Sequence, residues 1–295
     1  MIKISVLMLI HKDDEQTFRL IKHLSNDFDV YVHIDRKSSV NLEKYSMQNV
    51  FAMKKYKVYW GGYSQILAVH YLLKKAFEKR YDRYILISGQ DLPIKSNKQI
   101  KDFFKDNKAE YIDIGKRVNE DENQEIMERL TKYWPNWFHR GKNMALKMLF
   151  RLQYSLYMIY SILRPRPVDY EFYKGANWFN ITHTCVEQIL HYLESNPKYL
   201  SRYKWTHCAD ELFYQTIILQ LNGIEIVNDC LRYIDWNSIE FPKILRREDF
   251  LKIMNSNNLF ARKFDVNSDD KVIDMIFEKV INTNQNKRFY NSSES

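Results

Sequence analysis

Short apolar runs that end in polar clusters, separated by segments of helical spacing, constrain this chain more than any other feature. Lys3–Ile10 is a continuous apolar run of the kind found in strands buried on both faces. Phe18, Ile21 and Leu24 then recur at helical spacing within Thr17–Leu24. Asp29–Ile34 reads as a second strand, closed by Asp35-Arg36-Lys37-Ser38, and Val50–Met53 as a third. An aromatic turn, Tyr59-Trp60-Gly61-Gly62-Tyr63, precedes a helix that Ser64 is placed to N-cap and that reaches about Lys79. Arg83–Ile87 is the next strand, followed at once by Ser88-Gly89-Gln90-Asp91-Leu92-Pro93. Strands alternating with helices predict an α/β fold with a mostly parallel central sheet flanked by helices. Such sheets bind ligands at the carboxyl ends of their strands, which directs attention to His33–Lys37 and Ser88–Asp91.

The 295 residues suffice for one substantial core, so a single domain is expected over residues 1–280, with a charged, Asn-rich, frayed tail over 281–295. A hydrophobic share of 45% excludes disorder as the general state. The net charge of +8 suits an anionic partner or a generally Lys-rich surface. No basic tail concentrates it, so nucleic acid is not the expected partner. Cys185, Cys208 and Cys230 form no metal-type or redox-type spacing and read as structural thiols of a reducing compartment. The N-terminal run reads as a first strand, and no stretch of about 18 uncharged apolar residues occurs, which makes the cytoplasm the expected location. Residues 144–163 are apolar and aromatic with Lys147 and Arg151 among them. A helix lying on a membrane surface has this composition, and so does an internal helix whose long cations reach out at its ends. Arg164-Pro165-Arg166-Pro167 ends it.

Several residues carry more than one reading. Glu211, in Asp210-Glu211-Leu212-Phe213, is either a general base or an acid favoured at a helix N-terminus, with Asp210 beside it as the helix cap. Lys263, in Leu259-Phe260-Ala261-Arg262-Lys263-Phe264, is either a point charge for a phosphate or a solvated cation, and Arg262 competes with it. Asp91 follows a strand as a lone acid with no Asp-x-Asp around it, and one acid makes a weak Mg²⁺ or Mn²⁺ site. The literal match, Asp27-Phe28-Asp29, precedes a strand and reads as a surface loop. Trp178 and Trp236 offer flat faces for a sugar ring or simply fill the core, and His33 has the position of a core histidine. Neither a dinucleotide glycine motif nor a Walker loop is present.

Five segments in order resemble the core-2/I-branching β-1,6-N-acetylglucosaminyltransferases and xylosyltransferases of glycosyltransferase family 14. They are VHIDRKS (Val32–Ser38), YWGGYS with LISGQDLPI, KGANWFNIT (Lys174–Thr182), CADELFYQT (Cys208–Thr216) and LFARKFD (Leu259–Asp265). The resemblance implies a glycosyltransferase-A-like nucleotide-binding fold and inverting transfer from a UDP-sugar to a glycan hydroxyl without a metal. It places Glu211 as base, Lys263 on the diphosphate with Arg262 as competitor, and Asp35, with His33 in the same strand, near uracil or ribose. Asp91, Asp210, Trp178 and Trp236 fall on the sugar and acceptor side. The second diphosphate cation lines up with none of Lys243, Arg246 and Arg247 alone. Residues of about 119–168 match poorly and are expected to hold acceptor recognition. N-acetylglucosamine is the favoured donor sugar, with xylose, glucose and galactose open. The composition resembles a bacterial member working on capsule or other surface polysaccharide, on a lipid-linked acceptor at the inner face of the cell membrane, with peripheral contact through 144–163. The alternatives are a metal-dependent transferase using Asp91 and a second loop, and a non-catalytic binder of nucleic acid or glycan.

Overall fold

A computed structural model of the chain describes residues 2–115, 117–118, 124–135, 144–237 and 242–290, with side chains described up to residue 281. The first half of the chain runs β1 (Ile4–Ile10), α1 (Glu15–Leu24), β2 (Asp29–Ile34), β3 (Val50–Met53), α2 (Tyr63–Phe77) and β4 (Arg83–Ser88). It continues through β5 (Asp91–Pro93), α3 (Asn97–Phe104), β6 (Glu110–Ile112), α4 (Gln124–Thr131) and α5 (Met144–Leu163). Then follow β7 (Phe179–Thr182), α6 (His183–Ser195), α7 (Pro197–Arg202) and α8 (Asp210–Ile218). The chain closes with β8 (Ile226–Asn228), β9 (Arg232–Ile234), α9 (Phe250–Met254), β10 (Phe260–Arg262) and α10 (Asp270–Tyr290).

Seven strands form the central sheet in the order β3-β2-β1-β4-β7-β6-β8, and β7 alone runs antiparallel to its neighbours. The two-residue period of β1 explains why its run is apolar throughout. Ile4, Val6, Met8 and Ile10 face a layer holding Leu20 and Leu24 of α1, Ile100 of α3 and Ile276 of α10. Leu7 faces the opposite layer, with Leu72 of α2, Ile189 of α6 and Phe213 of α8. Both faces of the sheet are therefore covered, as parallel strands require. The α/β expectation holds. The expected frayed tail over 281–295 coincides with the last turns of α10, and its residues 291–295 lie outside the described residues.

A smaller sheet, β5-β10-β9, lies beyond the carboxyl end of β4. Arg83, almost fully buried at the start of β4, donates to the carbonyls of Ala109 at 2.7 Å, Asn180 at 3.0 Å and Asn107 at 2.6 Å. It thereby ties β4 to β7 and to the approach to β6, and the carbonyls compensate the buried charge.

One local expectation fails. Ser64 does not cap α2: Gly62 holds the N-cap position, and the Ser64 hydroxyl accepts from the Tyr59 amide at 2.8 Å. The serine stabilises the turn before the helix instead, a use of Ser that competes with capping. The three cysteines are free and buried, and no helix among the described residues is long and apolar enough to cross a membrane.

Candidate active site

The strand order reverses between β1 and β4, because the chain leaves β1 for β2 and β3 and returns on its other side. A crevice opens at such a switch point. Here it encloses about 50 Å³ and is lined by His11, Lys12, Ser88, Gly89, Gln90 and Phe264, among others. The Gln16 amide crosses it to the Gly89 carbonyl at 2.9 Å, and the Phe264 amide donates to the Gln90 carbonyl at 3.0 Å. The segment after β10, which carries Lys263, is thus held against the carboxyl end of β4.

Asp35 lies at the neighbouring end of β2, buried. Its Oδ1 accepts from the Lys37 amide at 2.9 Å and the Val58 amide at 3.1 Å, and its Oδ2 faces Lys37 Nζ at 3.1 Å. His33 is fully buried one turn of pleat behind it, with Nε2 accepting from the Tyr56 amide at 3.0 Å. Burial pulls its pKa down to about 4, so the ring is neutral at physiological pH. His33 supports the strand end from below and does not face the crevice floor with a free nitrogen pair.

The Tyr59–Gly62 turn connects this end of the site to α8. Gly61, at φ 63°, occupies the left-handed region that glycine tolerates, and its carbonyl accepts from the Cys208 amide at 2.7 Å. One turn later, Gln65 Nε2 donates to Asp210 Oδ2 at 2.7 Å. Asn177 Nδ2 donates to the same oxygen at 2.8 Å. The Gly175 amide donates to the Glu211 carbonyl at 2.9 Å, and a Cβ at Gly175 would stand 1.8 Å from the Asp113 carbonyl oxygen, so only glycine fits there. Two separated segments, Gly61–Gln65 and Gly175–Asn177, therefore converge on the first turn of α8.

Neither acid of that turn is a side-chain cap. Ala209 holds the N-cap position without a side-chain bond, and α8 begins at Asp210 rather than at Leu212. Asp210 is instead the clamp between Gln65 and Asn177. Glu211 points Oε2 at Arg129 of α4, 3.0 Å away, with Lys174 Nζ at 4.0 Å. Its Oε1 makes no hydrogen bond to any described residue, and the side chain is about one-third exposed, at 34%. A half-open carboxylate fixed through one oxygen suits acceptance of a proton at the other.

Burial, followed by the charge of Glu211, raises the pKa of Asp210 to about 7, against an ordinary 3.8. The folded state then binds the proton more tightly than the unfolded chain. Stability is lost as pH rises through that interval and is level above it. Asp210→Asn keeps an oxygen acceptor for Gln65 and Asn177 while removing the charge. We expect its unfolding midpoint to exceed that of the native chain at pH 8 by at least about 2–4 °C, the span of 1 kcal/mol in a chain near this size. The gap should close toward pH 4, and calorimetry across the range that found a gap independent of pH would refute the assignment.

Asp91 is fully buried at the start of β5. Its Oδ2 accepts from the Ser88 amide at 2.5 Å and hydroxyl at 2.6 Å, and Oδ1 faces the Arg262 guanidinium at 3.5 Å. Arg262 in turn lies over the Trp178 ring, 4.3 Å from its centroid, with Arg232 against the same ring at 5.3 Å. Trp178 is thus a half-buried platform between two cations, contiguous with Asn177 and Asp210. Trp236 is exposed, beyond β9 and apart from this cluster. Asp27 and Asp29 lie toward the amino end of β2, the opposite edge from Asp35; Asp27 is held by Asn97 and Lys101, and Asp29 by Tyr81.

Lys263 has no ion pair with a described carboxylate. Of its basic neighbours, Lys243 is committed to Asp249 at 2.6 Å and Arg247 to Asp269 at 3.1 Å, whereas Arg246 makes one long contact, 3.4 Å, to the Ser268 carbonyl. Among the described residues, no three His, Cys, Asp or Glu side chains converge as a metal-ligand group. Arg129 and Gln65 were invisible as site residues in the sequence. Lys174 and Asn177 stood within KGANWFNIT, and their polarity amid Trp178 and Phe179 was the available signal.

Comparison with known proteins bears on the family. The family model described as Branch, the Core-2/I-Branching enzyme, matches residues 7–256. Among solved structures, the apo-form glycosyltransferase GlyE of Streptococcus pneumoniae TIGR4 aligns with a TM-score of 0.36 and 11% identity. That alignment covers 89% of this chain, and the chain spans 55% of the length of that structure. No curated protein sequence matches.

Proposed function

Because the chain belongs to the Core-2/I-branching enzyme family, we propose that it transfers a sugar, N-acetylglucosamine foremost, from a UDP-sugar to a hydroxyl of a glycan acceptor, with inversion and without a metal. The observation that carries this reading is Glu211: a carboxylate fixed by Arg129 through Oε2, with Oε1 open, in the first turn of α8. In the reaction, Oε1 takes the proton of the attacking acceptor hydroxyl as that oxygen bonds to the anomeric carbon. The bond from that carbon to the UDP oxygen breaks in the same step, and the diphosphate departs with the bonding pair. Lys263 supplies a fixed charge to the departing diphosphate, and Arg246 is the available second cation. Asp35 receives uracil or ribose at the β2 end, with His33 as its support. Trp178, held between Arg262 and Arg232, offers a face to the sugar. Trp236, outside the cluster, belongs to a longer acceptor.

Asp91 supports the metal-free reading. Its Oδ2 is taken by Ser88, and its Oδ1 makes no hydrogen bond but faces the Arg262 guanidinium at 3.5 Å, whose positive charge opposes a metal cation there. The acceptor is proposed to be a growing surface polysaccharide on a lipid carrier, in a bacterial cell. Thermal unfolding with UDP-, GDP-, CDP- and TDP-sugars in excess EDTA tests the donor assignment. A ligand at about a hundred times its dissociation constant adds about 2.7 kcal/mol, enough to move the midpoint by several degrees. A shift with uridine compounds alone is expected. A shift that appears only when Mn²⁺ is restored would replace this reading with the metal-dependent one.

A further inference from the structure

One face of α5 has no role in the site. Of the 20 residues of this helix, only Ser161 is buried. The inner face is anchored by rings and hydrogen bonds: Tyr154 packs on Trp134, Tyr157 on Trp205 and Tyr160 on Tyr133, while Ser161 accepts from the Tyr133 amide at 2.9 Å. The outer face presents Met148, Leu149, Leu152, Leu156, Ile159 and Leu163, all exposed, at the three- and four-residue spacing of one helix side. Contiguous exposed apolar surface of this kind marks an interaction site.

We propose that this face docks peripherally on an anionic lipid bilayer. Charge selects the occupant. The helix carries Lys147 and Arg151 and no acid, and Arg164 follows its end. Antiparallel packing of α5 on a second copy would set Lys147 and Arg151 near Arg164 with no carboxylate on either helix to offset them. An anionic headgroup layer complements the same cations while the outer face enters the acyl boundary. No described helix is long and apolar enough to cross the bilayer, so α5 lies in its plane. Trp60, 74% exposed, connects to the inner face of α5 through rings that run from Trp60 to His207, from His207 to Trp134 and from Trp134 to Tyr154. Tryptophan is favoured at headgroup depth. The same turn, Tyr59–Gly62, abuts the approach to α8 through the Cys208 amide. The docking stands independently of the donor assignment.

Flotation of the full chain with phosphatidylcholine vesicles, with and without phosphatidylglycerol, tests it. The chain is expected to float with the anionic vesicles only and to be released by salt. Leu152→Glu combined with Ile159→Glu should abolish flotation. Lys147→Ala combined with Arg151→Ala should weaken it by about thirtyfold, the effect of two cations at an anionic surface. Each variant should keep the native unfolding midpoint, which separates lost docking from lost folding. Absence of flotation, equal partition onto neutral vesicles, or a dimer in light scattering that Leu152→Glu dissociates would each overturn the proposal. Flotation without any nucleotide-induced thermal shift would leave the docking in place and remove the donor reading.

Discussion

Glu211→Gln is expected to lower sugar transfer by about 10²–10⁴-fold, the usual weight of a positioned general base. The substitution keeps the shape of the side chain and an oxygen for Arg129, and it leaves the Gly175 to Glu211 backbone bond untouched. What it removes is the capacity to take a proton. Turnover should therefore collapse while the thermal shift produced by UDP stays at the native size, since the base meets the acceptor side and not the diphosphate. Rate loss accompanied by loss of nucleotide binding would instead make Glu211 a structural member of the clamp at α8.

Lys263→Ala is expected to lower kcat/KM by about 10²–10³-fold, comparable to losing one fixed group that stabilises developing charge. The size of the effect follows from the surroundings. Lys243 and Arg247 are held by Asp249 and Asp269, so neither is free to replace the missing ammonium. Arg246 remains, and for that reason Arg246→Ala should reduce the rate further in the double variant. Unlike Glu211→Gln, this substitution should also erase the UDP-induced thermal shift. A Lys263→Ala enzyme with native turnover would assign the diphosphate to another cation, Lys12 at the crevice and Lys37 beside Asp35 being the next to test.

The parts of this molecule legible in its sequence are those in which local pattern and final environment coincide. β1, β2, β3 and β4 read correctly because each is a short, mostly apolar and β-branched or aromatic run bounded by polar clusters, which is how covered strands of a parallel sheet are written. The carboxyl-end clusters at Asp35 and Ser88–Asp91 followed from the parallel order. Ser64 misled because a serine before a helix has two uses, and the choice depended on the distant turn at Tyr59. Asp210 read as a cap for the same reason, whereas Gln65 and Asn177, 145 and 33 residues away along the chain, made it a clamp. Arg129 was out of reach altogether: it lies in the poorly matching segment of about 119–168, and nothing local distinguishes it from a solvated arginine on a helix. Parts of that segment, 119–123 and 136–143, lie outside the described residues. The exposure of α5 could not be inferred either, since a helix apolar around most of its circumference reads equally as buried core.

Inverting transfer from a UDP-sugar with Glu211 as base is the proposal from which the other assignments descend. The most direct measurement is proton NMR of the product formed from UDP-N-acetylglucosamine, or from whichever UDP-sugar gives the thermal shift, with a glycan acceptor in EDTA. A new β-glycosidic linkage from the α-configured donor is expected, formed by the native chain and not by Glu211→Gln. An α-linked product, or the same product from both proteins, would contradict it.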